Sequence, residues 1–181
     1  MEAQEAPILD AVRAAAPALV HFADNLSSDN LAGLYDRHLA PTHQCRLDRL
    51  HAAGVKCAVR LDDTAGGLLP RPAAIGFDAV EALTPLPAGD VAVENLRMVA
   101  GCDRVILWGG VPDVMFAPPF EWRDMKAHIR RLLDTWRGAR CVIGVADQVP
   151  HNGYIDFAGA SPSWRGRFSR LVAFTAAGSM P

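Results

Sequence analysis

Five short apolar runs punctuate the chain, at 18–23 (ALVHFA), 55–61 (VKCAVRL), 77–83 (FDAVEAL), 104–109 (RVILWG) and 140–146 (RCVIGVA). Each is too short for a typical helix and carries β-branched or aromatic residues, so the pattern predicts five strands. The segments between them change period. After Pro119, the residues Trp122, Met125, Ile129, Leu132, Leu133 and Trp136 recur at three- and four-residue steps, lining one helix face, and Gly138 stands where a C-terminal cap belongs. A second helical region runs from about 31 to 53, broken near Pro41 and ending at Gly54. A third covers about 91–100, with Asp90 as N-cap and Gly101 beyond it. The stretch 64–76, with two prolines and three glycines, admits at most a short broken helix. The tail, 158–181, mixes Gly, Ser and Pro with room for a helix around 164–174.

Continuous apolar strands alternating with helices imply parallel pairing, with helices packed on the outside of the sheet. The expected fold class is therefore α/β, in one domain spanning 1–181, since no linker or low-complexity tract divides the chain. Half of the residues are hydrophobic and 21% charged, the balance of a folded globular chain. A formal net charge of −2 gives no basic footprint for nucleic acid or an anionic membrane, which leaves a small molecule as the expected partner. No apolar stretch approaches the ~20 residues that span a bilayer, and the start, MEAQEAPILD, carries acids where a signal peptide carries bases. The expectation is a cytoplasmic protein. Cys45, Cys57, Cys102 and Cys141 show no CxxC or Cys-plus-His spacing, so buried, reduced thiols are expected and no structural zinc.

Chemistry in parallel α/β folds gathers where strands finish. The first run ends in Asp24-Asn25, the second in Arg60-Leu61-Asp62-Asp63, the third holds Glu81 and leads to Thr84-Pro85, the fourth gives Trp108-Gly109-Gly110 and the fifth Asp147-Gln148. Asp and Asn after a strand can be turn residues, but Glu81 interrupts an apolar run, where a carboxylate needs a partner. Alternation along a strand puts Ala58, Arg60 and Asp62 on one face. In a barrel that face would gather Arg60, Asp62, Glu81 and Asp147 at one rim, a guanidinium among carboxylates. The helix positions of His38, His43, His51 and His128 read as solvated, His21 as a satisfied core residue, and His151 as a loop residue able to titrate near neutrality. No GxSxG, P-loop, HExxH or GxGxxG motif occurs.

The segments VHFADN (20–25), LHAAGVKCAVRLDDT (50–64), GFDAVEALTPLPAGDVAVENLR (76–97), RVILWGGVPDVMFAPPF (104–120) and VIGVADQVP (142–150) resemble, in order, the C-terminal part of the uroporphyrinogen decarboxylase superfamily. The closest likeness is to an uncharacterised branch related to the cobamide-dependent methyltransferases. The resemblance implies part of a (β/α)8 TIM barrel, with about five parallel strands and outer helices. It also implies that exposed sheet edges pair with a second copy or with a complementary N-terminal half.

For activity, the resemblance implies a cofactor-free carboxy-lyase acting on an acidic tetrapyrrole or another small carboxylate. An acid among Asp24, Asp62, Glu81 and Asp147 would manage the proton, and Asn25, Arg60, Trp108, Gln148 and His151 would bind substrate. Methyltransferase members place His-x-Cys, an acid and a later Cys around a zinc ion. The matching positions here read Arg60-Leu61-Asp62, Glu81 and Ala146-Asp147, so a corrinoid-dependent methyltransferase would need a hard metal in place of zinc. The third alternative is a non-catalytic half barrel in which Arg60 is the internal counter-ion of Asp62 and Glu81.

Overall fold

The computed structural model describes residues 2–151 and 153, so the helix considered around 164–174 lies outside the described residues. All five strands form: β1 (Leu19–Leu26), β2 (Lys56–Leu61), β3 (Ala79–Leu83), β4 (Ile106–Val111) and β5 (Cys141–Val145). They make one parallel sheet in the order β1-β2-β3-β4-β5. Strands laid down in sequence order through right-handed crossovers keep every crossover on the same face. The chain is thus built as five consecutive units of a TIM-barrel-like α/β fold, with β1 and β5 as its edges.

The helices are α1 (Glu2–Ala15), α2 (Ser28–Leu34), α3 (Ala40–His51), α4 (Pro70–Ile75), α5 (Leu96–Ala100) and α6 (Trp122–Thr135). A π-helical turn, Tyr35–Leu39, joins α2 to α3, and Pro41 sits in the first turn of α3, where the missing N–H costs nothing. This is the break expected near Pro41. α6 carries the periodic face; Met125 and Leu132 are fully buried, and its first turn is closed by a reciprocal capping box of Glu121 and Asp124.

The pairing explains the layers. Phe22, Val59, Val80 and Leu107 are successive register partners across β1 to β4, and all four belong to the buried core that the helices cover. The residue after each partner in β2, β3 and β4 is Arg60, Glu81 and Trp108, which alternation places on the opposite face. None of these three belongs to that core.

One helix was not expected and three expectations need correction. α1 carries Pro7 inside it, yet Leu9 and Val12 pack on the core and Glu5 meets Arg46 at 2.7 Å. Asp90 does not cap a helix: α5 begins only at Leu96, and the Asp90 carboxylate instead accepts from the Ala65 and Gly66 N–H groups at 2.8 and 3.0 Å. His43 and His128 are buried, not solvated. Each lies on the apolar face of its helix, and His128 Nε2 donates to the Gly110 carbonyl at 2.7 Å. The thiols are all free, but only Cys57 is buried; Cys45 is exposed because α3 turns that position outward.

The N-terminal end of the sheet is tied by one carboxylate. Asp78 accepts from His51 Nε2, Lys56 Nζ and the Cys57 N–H, each at 2.9 Å. Burial works against the charge, but these three donors outweigh it and hold the carboxyl below its ordinary value. A depressed carboxylate stabilises the fold above its unfolded pKa of about 4, and that contribution is lost as pH falls through the folded value. Asp78→Asn is therefore expected to cost about 2 kcal/mol near neutral pH. Urea unfolding of both proteins should show the gap narrowing below about pH 4.

Candidate functional site

Arg60 stands at the centre of the C-terminal rim. Its Nη2 donates to Asp62 at 3.2 Å and to Asp147 at 3.1 Å, and its Nη1 lies 3.8 Å from Glu81. The four residues come from β2, β3 and the segment after β5, so the sheet brings together the group that the alternation placed on one face. Arg60 and Glu81 are direct register partners, which is why the guanidinium lies over that carboxylate. Burial opposes the guanidinium charge, but Asp62, Glu81 and Asp147 together outweigh it.

One cation does not neutralise this many acids. Oxygens of Asp62, Asp63 and Asp147 lie within 4.8 Å of one another. Desolvation raises the Asp62 carboxyl above its ordinary value, repulsion from Asp147 and Asp63 adds to it, and Arg60 offsets only part. The two partners of the Arg60–Asp62 pair thus point in different directions: the guanidinium gains from the contact, while Asp62 on balance loses. The single shared Nη2 supports that reading, since a bidentate fork would have held Asp62 as a stable anion. Asp113 is raised in the same way, first by burial and then by Asp147 and Asp63.

Glu81 lies beneath Arg60. Its Oε2 is buried without a hydrogen bond, 3.4 Å from His21 Nε2. His21, expected in the core, is instead 38% exposed, because its position on β1 faces away from the helices. Trp108 follows Glu81 in the same row, half-buried.

The other expected residues stand apart. Asp24 shares the helix-side face of β1 with Phe22 and Leu26, and its Oδ2 accepts from His43 Nε2 at 2.9 Å. His43 Nδ1 in turn lies 3.1 Å from the Tyr35 hydroxyl, so Asp24 ends a buried Tyr35–His43 chain. The His43 hydrogen bond holds the Asp24 carboxyl below its ordinary value, and burial pushes the Tyr35 phenol up. Asn25, at φ 47°, lies within β1 where its register on β2 shifts between Phe22 and Leu26, and Gln148 and His151 are exposed. None of these three has a side-chain hydrogen bond or ion pair among the described residues.

No protein-family model matches the chain, and no curated protein matches it in sequence.

Two rim acids were missed as site residues, Asp63 and Asp113. A positional signal existed: Asp63, Asp113 and Asp147 each stand two residues beyond the end of their strand, after Leu61, Val111 and Val145. Reading β4 as ending at Gly109 concealed the middle one.

The rim loop is fixed by its neighbours. Leu26 O accepts from the Asp62 N–H at 2.6 Å, Thr64 O accepts from the Ser28 N–H at 2.9 Å, and the Ser27 and Thr64 hydroxyls meet at 3.2 Å. Asp90 then holds the next two N–H groups. The donor set does not fit a soft-ligand zinc ion. Cys57 points into the core, where burial pushes its thiol up to about 11, and the rim offers carboxylate oxygens and a guanidinium.

Proposed function

We propose that the rim is the active site of a carboxy-lyase of the uroporphyrinogen decarboxylase type, acting on a small carboxylate. The observation that carries this reading is Asp62, an acid on the open face of the sheet whose carboxyl is raised by desolvation and by two neighbouring carboxylates, within hydrogen-bond reach of a fixed guanidinium. Arg60 Nη1 lies 3.8 Å from Glu81, while Nε makes no hydrogen bond or ion pair among the described residues and is available to a substrate carboxylate. The carbon–carboxylate bond breaks to release CO2, and its electron pair stays on the substrate carbon. That carbon takes the Asp62 proton, and solvent reloads the acid. Activity should then fall as pH rises through the Asp62 value, which desolvation first and then Asp147 and Asp63 raise. The test is CO2 release from added uroporphyrinogen and from simpler carboxylic acids, with the wild type and Asp62→Asn compared. Three acids paired with one guanidinium, with Asp63 and Asp113 beside them, disfavour a polyacidic tetrapyrrole and favour a substrate with a single carboxylate.

A second reading is favoured by the spacing of Asp62, Asp63 and Asp147. Three carboxylate oxygens at that separation suit a hard divalent cation, the replacement for zinc that a methyltransferase-like activity would require. The two readings compete at Asp62, because a metal would displace its proton. Under the lyase reading, Mg2+ or Mn2+ inhibits CO2 release and Asp63→Asn relieves the inhibition. Stoichiometric metal in the purified protein, lost in Asp63→Asn, would favour methyl transfer instead.

A further inference from the structure

We infer that His21 and Glu81 form a general-base dyad on the open sheet face, a catalytic site for the hydrolysis of uncharged esters that goes beyond the carboxy-lyase reading and does not depend on it. Glu81 is the starting point. Its Oε2 is buried and makes no hydrogen bond, a condition that costs free energy until a donor meets it. The cationic donors beside it are Arg60 Nη1 at 3.8 Å and His21 Nε2 at 3.4 Å. Arg60 is shared with Asp62 and Asp147, so the histidine is both nearer and less committed. Meeting the carboxylate requires a proton on Nε2, and the neutral ring then carries its lone pair on Nδ1.

The arrangement makes that nitrogen usable. The His21 side chain is 38% exposed and that of Glu81 only 17%, so a mostly buried carboxylate backs an imidazole that solvent reaches. Nδ1 makes no hydrogen bond or ion pair among the described residues. A carboxylate that fixes the tautomer and the ring plane, and steadies the imidazolium as it forms, turns an ordinary exposed histidine into a general base. Leu19, two residues earlier on the same face of β1, and Ala58, the register partner on β2, offer no hydroxyl or thiol, so the nucleophile is water. His21 Nδ1 takes a proton from water as the water oxygen bonds to the ester carbonyl carbon. The bond to the alcohol oxygen then breaks, and His21 returns the proton to it. Glu81 and the rim carboxylates repel an anionic ester, which leaves uncharged ones.

The test uses the full-length protein and two reagents. Diethyl pyrocarbonate acylates an unprotonated imidazole nitrogen, with ethyl carbonate leaving, and peptide mass spectrometry follows each histidine separately. His38 is the internal reference, exposed and with no carboxylate partner among the described residues. His21 is expected to react several-fold faster than His38 in the wild type and at a similar rate in Glu81→Leu, while ¹⁵N NMR of the wild type shows His21 protonated on Nε2. Hydrolysis of p-nitrophenyl acetate is expected to fall about 10²-fold in His21→Gln, to the background set by the remaining histidines. Labelling of His21 no faster than of His38, or a proton on Nδ1, would overturn the dyad. Equal hydrolysis by the wild type and His21→Gln would overturn the catalytic site; both comparisons stand even where Glu81→Leu fails to fold. No measurement here involves CO2 release, so failure leaves the carboxy-lyase reading as it was, and loss of that reading leaves the dyad.

Discussion

Replacing Asp62 with asparagine is expected to lower carboxy-lyase turnover by about 10²-fold or more while leaving the fold as stable as before, or more so. The two halves of this result have one cause. Asp62 is desolvated and faces Asp147 and Asp63, so its proton is retained more strongly than in the unfolded chain. A carboxyl whose folded pKa is raised contributes stability only where it is protonated, and that contribution is lost as pH rises through the folded value. At neutral pH the wild type therefore carries the cost of an ionised Asp62, and asparagine, which is never charged, does not. The amide also keeps an oxygen for Arg60. What it lacks is a transferable proton. If Asp62 were only a brace for Arg60, the variant would lose stability and keep its rate. Thermal unfolding and CO2 release on the same two preparations separate these cases, and a destabilised variant with unaltered turnover would end the assignment.

Much of this rim was legible in the chain. The period-two alternation that places Arg60 with Ala58 and Asp62 is a property of any strand, and the interrupting Glu81 marked its partner on β3. Parallel pairing then made them register neighbours. Asp24 was misplaced by treating strand ends as if they all converged. The same alternation that worked on β2 assigns Asp24 to the face of Phe22 and Leu26, and the structure finds it there, bonded to His43.

The histidines show why residue type misleads. His43, Leu47 and Leu50 are spaced by four and three residues, and Met125, His128 and Leu132 by three and four, so both histidines occupy the core stripe of their helices. Counting histidine as a polar surface residue hid a periodicity that was present. What the chain does not reveal is the depth at which each acid sits. Asp62 and Asp78 both flank strands and look alike in sequence, yet three donors overcome burial to depress Asp78, while burial first and then two carboxylates raise Asp62. That difference comes from which end of the sheet each occupies, and it depends on contacts between segments far apart in the chain.

Gly89→Ala is expected to be the most damaging small substitution in the described residues, costing about 4 kcal/mol and lowering the melting temperature by roughly 10 °C. An added methyl carbon at 89 would overlap the Thr84 carbonyl oxygen and lie 3.1 Å from the Asp63 carbonyl oxygen. Both neighbours are backbone and neither can rotate away. Thr84 is itself buried, with its hydroxyl bonded to Ala82 O at 3.1 Å, and Gly89 N–H closes the loop onto Pro85 O at 3.1 Å. Relief therefore requires the whole 84–91 loop to open. That movement carries Asp90 with it, releasing the Ala65 and Gly66 N–H groups and with them the loop that presents Asp62 and Asp63. Gly66→Ala is the control. Its methyl would meet the Asp90 Oδ2 at 2.8 Å, and moving that side chain weakens its bonds to the Ala65 and Gly66 N–H groups but displaces no backbone, so the loss of stability should be smaller. Scanning calorimetry on the two variants checks the order. Equal melting temperatures for Gly89→Ala and the wild type would mean that the 84–91 loop is not packed against β3 and β2 as described, and the support for the rim acids would have to come from elsewhere.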